Sequence, residues 1–249
     1  MGGVGLRFGQ LAGVWQPTPD FAAHWPAFPY AIAIGFLVGG LAVQSRSSQA
    51  FGGYLLAILF AFFAIMWVKR ILLLPLVFAT WGGTAEELSM ALAGVIVAVG
   101  VNSAKREGRI LEIARILFGI CAIAFGFNHF FALKESSAFV PAWIPPNQLF
   151  WAVATGTADV AAGLAIISGI GATLAARLLT LMFACFEVLI WAPDLIASPH
   201  GHDLWAANAV NLALIGAAWV VADMLTNRPR RSRYATFPFF RSSARLSTS

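Results

Sequence analysis

Seven stretches of this chain are apolar on every side over fifteen to about twenty residues. No other feature restricts its fold so strongly. They cover residues 28–43, 50–68, 87–101, 111–131, 149–168, 173–191 and 205–225. A membrane-spanning helix needs about 20 mostly apolar residues. Barrel strands instead alternate apolar and polar positions over about 10 residues, which these runs do not do. Charge agrees: only 11% of the 249 residues are charged and 59% are apolar, against about 25% charged in soluble domains. So few charges cannot cover the surface of a water-soluble domain of this length. The expected fold class is an all-α integral membrane protein of about seven transmembrane helices, with the lipid bilayer as its first partner.

Lys and Arg set the orientation, because cytoplasmic loops carry their excess. Arg46, Lys105, Arg106, Arg109, Arg177 and the arginine-rich residues 226–249 fall on one side of an alternating chain. Arg7, Lys69, Arg70 and Lys134 fall on the other. The expected location is a bacterial-type inner membrane, with the N-terminus outside and a basic, disordered C-terminal tail in the cytoplasm. The net charge of +5 reflects that tail rather than nucleic-acid binding. No secretory signal precedes the first span. Cys121 and Cys185 lie in apolar runs and read as small buried hydrophobes.

Shifting the chain along itself by about 123 residues places Gly40-Leu41-Ala42 on Gly163-Leu164-Ala165, and Leu55-Leu56 on Leu178-Leu179. The first three predicted helices therefore look like a parallel copy of the last three. The expected division is an outer N-terminal segment (1–27), a three-helix half (28–102), a four-helix unit (111–225) and the tail. Residues 1–15 stand where the first half lacks a leading helix.

Polar residues inside spans are costly and mark candidate sites. Asp159 falls near the middle of the fifth predicted helix, and Glu187 in the outer third of the sixth. Asn128 and His129 end the fourth, and Asn208 and Asn211 share one face of the seventh. In the first half, Phe36 stands for Asp159, Ala64 for Glu187, and Glu86 and Ser89 for Asn208 and Asn211. The polar centre is thus expected in the second half, the first having lost most of it. There His129 can hydrogen-bond a carbonyl, Asp159 and Glu187 can exchange protons, Asn208 and Asn211 can orient a ring, and Trp151 and Trp191 can pack on it. The competing reading is that these groups bond between helices and hold the bundle together. His200 and His202, with Asp194, form a weak metal-ligand pattern. Glu86-Glu87 reads as an acidic helix start. Gly35, Gly39, Gly40, Gly156 and Gly163 suit close helix packing. No phosphate-binding loop, serine triad, haem motif or zinc-protease motif occurs.

The order of Phe125-Gly126-Phe127-Asn128-His129-Phe130, then Phe139-Val140-Pro141-Ala142-Trp143-Ile144-Pro145, then Trp151, Thr155-Gly156, Asp159 and Ala162-Gly163 resembles the DoxX-like membrane protein family over about 112–222. The first half resembles it only through the internal repeat. The resemblance implies a four-helix inner-membrane unit and, by analogy with some members, a quinone-linked redox system. A quinone would then occupy the outer half of the last four helices, and electrons would come from a partner protein. The alternatives are a non-enzymatic membrane scaffold and, third, a small-solute transporter.

Overall fold

The computed structural model describes residues 1–100 and 107–227. The Lys105-Arg106 loop and the basic tail from 228 onward lie outside the described residues. All regular structure among them is helical: α1 (Gly2–Phe8), α2 (Phe28–Ala42), α3 (Gln49–Leu73), α4 (Phe78–Gly100), α5 (Glu107–Phe131), α6 (Leu133–Phe139), α7 (Gln148–Ser168), α8 (Ala172–Phe186), α9 (Ala192–Ala197) and α10 (His202–Asn227). A short 3₁₀ turn spans Asp20–His24, and a π-helical turn, Glu187–Trp191, joins α8 to α9.

Among the described residues, six helices are long and apolar enough to cross a membrane: α3, α4, α5, α7, the continuous Ala172–Ala197 segment and α10. The first of the seven expected spans, α2, has 15 residues. At about 1.5 Å per residue it covers about 22 Å, short of a hydrocarbon core about 30 Å thick. The third expected span starts earlier than hydropathy indicates. Helix α4 begins at Phe78, so Glu86 and Glu87 lie in its interior and do not form its first turn. Their acid-at-the-start reading is corrected by the extra two turns that Trp81-Gly82-Gly83-Thr84 supply. Cys121 is buried as expected, but Cys185 is exposed on α8.

Helix α4 is the centre of the bundle. Seventy-two per cent of its most apolar window is buried against protein, against 22–44% in the other five spans. It packs between α3, α5 and α10, while α7 bridges α5 and α8, and α8 pairs with α10. Small residues permit this. A side chain at Gly53 or Gly94 would meet the backbone of the facing helix at 2.7–2.8 Å. Helices α5 and α7 approach as closely, with Gly119 and Gly126 on one meeting Gly163 and Gly156 on the other. Without a hydrophobic force between helices in lipid, such contact supplies dispersion energy that larger residues would prevent.

The same contacts recur in the two halves. Trp67, Pro75, Trp81 and Glu87 have the spacing of Trp191, Pro199, Trp205 and Asn211, 124 residues later. The Trp81 indole donates to the Pro75 carbonyl at 3.1 Å, and the Trp205 indole to the Pro199 carbonyl at 2.8 Å. Gly2 and Gly5 of α1 lie against Ala33 and Leu37 of α2, as Gly126 and His129 of α5 lie against Gly156 and Val160 of α7. Helix α1 therefore sits where the outer turns of α5 sit in the second half.

At the other end of α5, buried Arg115 donates to the Ile166 carbonyl in the last turn of α7 and pairs with Glu112. A cation on these unsatisfied carbonyls is favourable. Arg115→Ala is expected to cost about 2 kcal/mol, the scale of a charged hydrogen bond. Chemical denaturation in detergent checks this, and an unchanged midpoint would remove Arg115 from the interface.

Candidate functional site

The Asn147 side chain accepts from the Phe150 amide and fixes the start of α7. Asp159 then falls near the middle of that helix, with no side-chain exposure beyond 1%. His129 stands two residues from the end of α5, opposite Gly156. The missing side chain there lets the His129 Cβ approach to 2.7 Å of where a Cβ would be. The His129 Nε2 lies 3.7 Å from Asp159 Oδ2, close enough for attraction and too long for a hydrogen bond. Both Asp159 oxygens and the His129 Nδ1 are buried without a hydrogen-bond partner. Buried polar atoms are nearly always bonded, so three together form an exception that demands a cause. The Phe186 ring lies 6.5 Å from the imidazole and closes one side.

Asn128 faces elsewhere. Its amide lies over Gly82 on α4, 3.3 Å from where a Cβ would sit, and its Oδ1 is also buried and unbonded.

Glu187, Asn208 and Asn211 form a second group, and this one is bonded. Asn211 Nδ2 donates to Glu187 Oε2 at 2.9 Å and to the Phe183 carbonyl at 3.0 Å. Asn208 Nδ2 donates to the Trp191 carbonyl at 2.9 Å and to the Leu204 carbonyl at 2.8 Å. The π turn supports this geometry. The Ala192 amide reaches back to the Glu187 carbonyl, and Pro193, which has no N–H, follows at once. Hydropathy reads a uniform helix across 173–191, and Pro193 was the signal that it is not one.

The two tryptophans do not flank the histidine. Trp151 is exposed and donates to the Pro145 carbonyl at 2.8 Å, which holds the loop to the start of α7. Trp191 packs edge-on against Trp15 at 6.5 Å and against Phe139 at 5.5 Å. The histidine pattern at the α10 start serves packing too. His202 stacks on Phe8 at 4.4 Å, its Nδ1 faces the Gln10 amide at 3.4 Å, and His200 is exposed. Among the described residues, no three His, Cys, Asp or Glu side chains gather as a metal site.

In the first half, an aromatic cluster occupies the corresponding interior. Phe36 lies 4.8 Å from Phe60 and 6.3 Å from Phe63. Spacing by 124 residues makes Phe63, and not Ala64, the counterpart of Glu187. It makes Glu87, and not Ser89, the counterpart of Asn211. Glu87 is 2% exposed, and its Oε2 has no partner. The first half thus retains one buried carboxyl group at the place of Asn211. The equal six-residue steps Trp81–Glu87 and Trp205–Asn211 were the available signal.

These features define a multi-pass helical membrane protein with a buried, incompletely bonded polar centre between α5 and α7. Residues 110–191, which include α7 and all but the first turn of α5, match the family model described as DoxX. The chain therefore carries a DoxX domain in its second half. No curated protein and no solved structure matches the chain.

Proposed function

We propose that the second half binds a small lipophilic ring bearing carbonyl or hydroxyl groups, of the quinone class, beside His129 and Asp159. The observation that carries this reading is the trio of buried, unbonded atoms on those two residues. A histidine N–H is a donor and a carboxylate an acceptor. Held 3.7 Å apart, the two can act together on a single ring oxygen, His129 donating to a carbonyl and Asp159 accepting from a hydroxyl. A quinone supplies reversible two-electron, two-proton chemistry. His129 would orient it through a hydrogen bond, Asp159 would hold or accept a proton at its carboxylate, and Phe186 would keep water out. Electrons would come from a partner protein, so the chain acts as a membrane subunit without stand-alone activity. Phe36, Phe60 and Phe63 fill the equivalent space in the first half, which leaves that half a supporting role.

The chain divides, on this reading, into a supporting half at 28–102 and the ligand-binding unit at 111–225. It lies in an inner membrane, with Arg46, Arg109 and Arg177 toward the cytoplasm. Lys69 and Arg70 on the opposite side are engaged by protein. Lys69 pairs with Asp20 at 3.6 Å, while Arg70 donates to the Gly13 carbonyl at 3.0 Å and lies 4.4 Å from the Trp67 ring. This bonding supports the charge-based orientation.

A second reading, a membrane scaffold whose polar groups join helices, is favoured by the bonds from Asn208 and Asn211. Thermal unfolding of the purified chain with and without a short-chain quinone separates the two. The parent is expected to melt higher with quinone, and His129→Ala to fold but lose that increase. No increase for the parent would end the quinone reading. Unfolding of the variant without any binding by the parent would favour the scaffold.

A further inference from the structure

Helices α8 and α10 part near the end of α10 and leave an open groove on the outside of the bundle. Leu181 and Ala184 form one wall, Ile215 and Trp219 the other, and Arg177 and Asp223 stand at its mouth. The first half shows why it is open. The counterpart of Arg177, 124 residues earlier, is Gly53, where any side chain would meet the Ala98 amide and the Gly94 carbonyl of α4 at 2.7 Å. With glycine there, α3 and α4 close on each other. With arginine there, α8 and α10 cannot, and Trp219 in place of Val95 widens the gap.

The two charges face the same groove without pairing. Arg177 donates one hydrogen bond to Thr226 Oγ1 at 3.2 Å, and Asp223 Oδ1 accepts one from Asn227 at 3.0 Å. The ion pairs of lysine or arginine among the described residues are Lys69–Asp20 and Arg115–Glu112, so Arg177 and Asp223 do not neutralise each other. Both are exposed, at the level where two spanning helices end, above apolar walls. Charged side chains at that depth match the headgroup region, and the Trp219 ring lies one turn below Asp223.

We propose that this groove holds one phosphatidylethanolamine molecule. Its phosphate lies on the Arg177 guanidinium, which has four donors left for phosphate oxygens. Its ammonium lies on Asp223, and an acyl chain runs between Leu181 and Trp219. A choline headgroup has no N–H to donate to Asp223, and a glycerol headgroup brings no cation. The groove therefore selects the ethanolamine lipid over both. This site is separate from the His129–Asp159 centre, and its occupancy does not depend on any quinone.

Native mass spectrometry tests the assignment, using the full chain released from nanodiscs of equimolar phosphatidylethanolamine, phosphatidylcholine and phosphatidylglycerol. A single ethanolamine-lipid adduct is expected, about tenfold over either competitor, the ratio that one charged contact supplies. Arg177→Ala should lower that adduct about tenfold. Asp223→Asn should remove the preference over phosphatidylcholine while total lipid retention stays. Leu181→Trp, which fills the groove and leaves both charges in place, should displace the lipid. Equal retention of the three lipids, preference for phosphatidylglycerol, or an unchanged adduct in Arg177→Ala would overturn the proposal. So would efficient disulfide cross-linking of two copies through Leu181→Cys, since a second copy would then be the occupant.

Discussion

Leucine in place of Gly126 is expected to prevent a stable bundle, while leucine in place of Gly40 leaves it intact. A Cβ at Gly126 would sit 2.5 Å from the Gly156 carbonyl, 2.5 Å from a Val160 methyl and 3.0 Å from the Val160 amide. Two of those atoms are backbone, so no rotamer change relieves the clash, and α7 must move away from α5 as a unit. That movement would also carry Asp159 away from His129. Overpacking a core costs about 1–3 kcal/mol when side chains can yield. Where backbone must yield, the loss should exceed about 3 kcal/mol. At Gly40 a Cβ meets nothing within 4 Å. Its counterpart Gly163 is covered by Gly119 and Ile123 of α5, and α1 is too short to extend that far. The fraction of each variant that elutes as a single species after detergent extraction, together with its melting temperature, is the readout. Equal tolerance at both positions would mean that α5 and α7 do not cross at these glycines.

Asp159→Asn should retain or raise stability and lose ligand binding, whereas Asn211→Ala should lose stability. A carboxylate at a helix centre costs about 2.5–3.5 kcal/mol on the insertion scale, and no hydrogen bond to Asp159 offsets it. Replacing it by an amide of the same shape removes much of that cost. Asn211 differs in having two partners, Phe183 on α8 and Glu187 at the start of the π turn that follows it. Its removal breaks bonds worth about 0.6–1.7 kcal/mol between membrane helices and strands Glu187. Denaturant titration of the two variants beside the parent gives the comparison. A loss in Asp159→Asn as large as that in Asn211→Ala would show that the carboxylate stabilises the bundle, and the site reading would fail with it.

The two halves of the polar cluster illustrate what a sequence conveys. His129 and Asp159 were legible as costly groups in apolar runs, and their shared position in the second half followed from chain order. That Glu187 pairs with Asn211 and not with His129 was not legible. It depends on which faces of α8 and α10 meet, and the π turn before Pro193 rotates that face. Trp151 and Trp191 looked like walls for a ring because they are aromatic and near the right depth. Each spends its ring on a loop or a neighbouring tryptophan, which only three-dimensional placement reveals. Glu87 was misread because hydropathy began α4 about two turns late.

The sequence by itself determined that this chain is a bundle of membrane helices with a DoxX-like second half. Hydropathy and short motifs are properties of contiguous residues, and a helix satisfies its own backbone hydrogen bonds without reference to its neighbours. The tertiary structure decided which polar groups meet, which glycines touch and where α8 and α10 part. Those outcomes depend on the register between helices far apart in the chain. Register is set where small residues let two backbones approach: Gly126 on Gly156 closes one pair, and Arg177 in the place of a glycine holds another open.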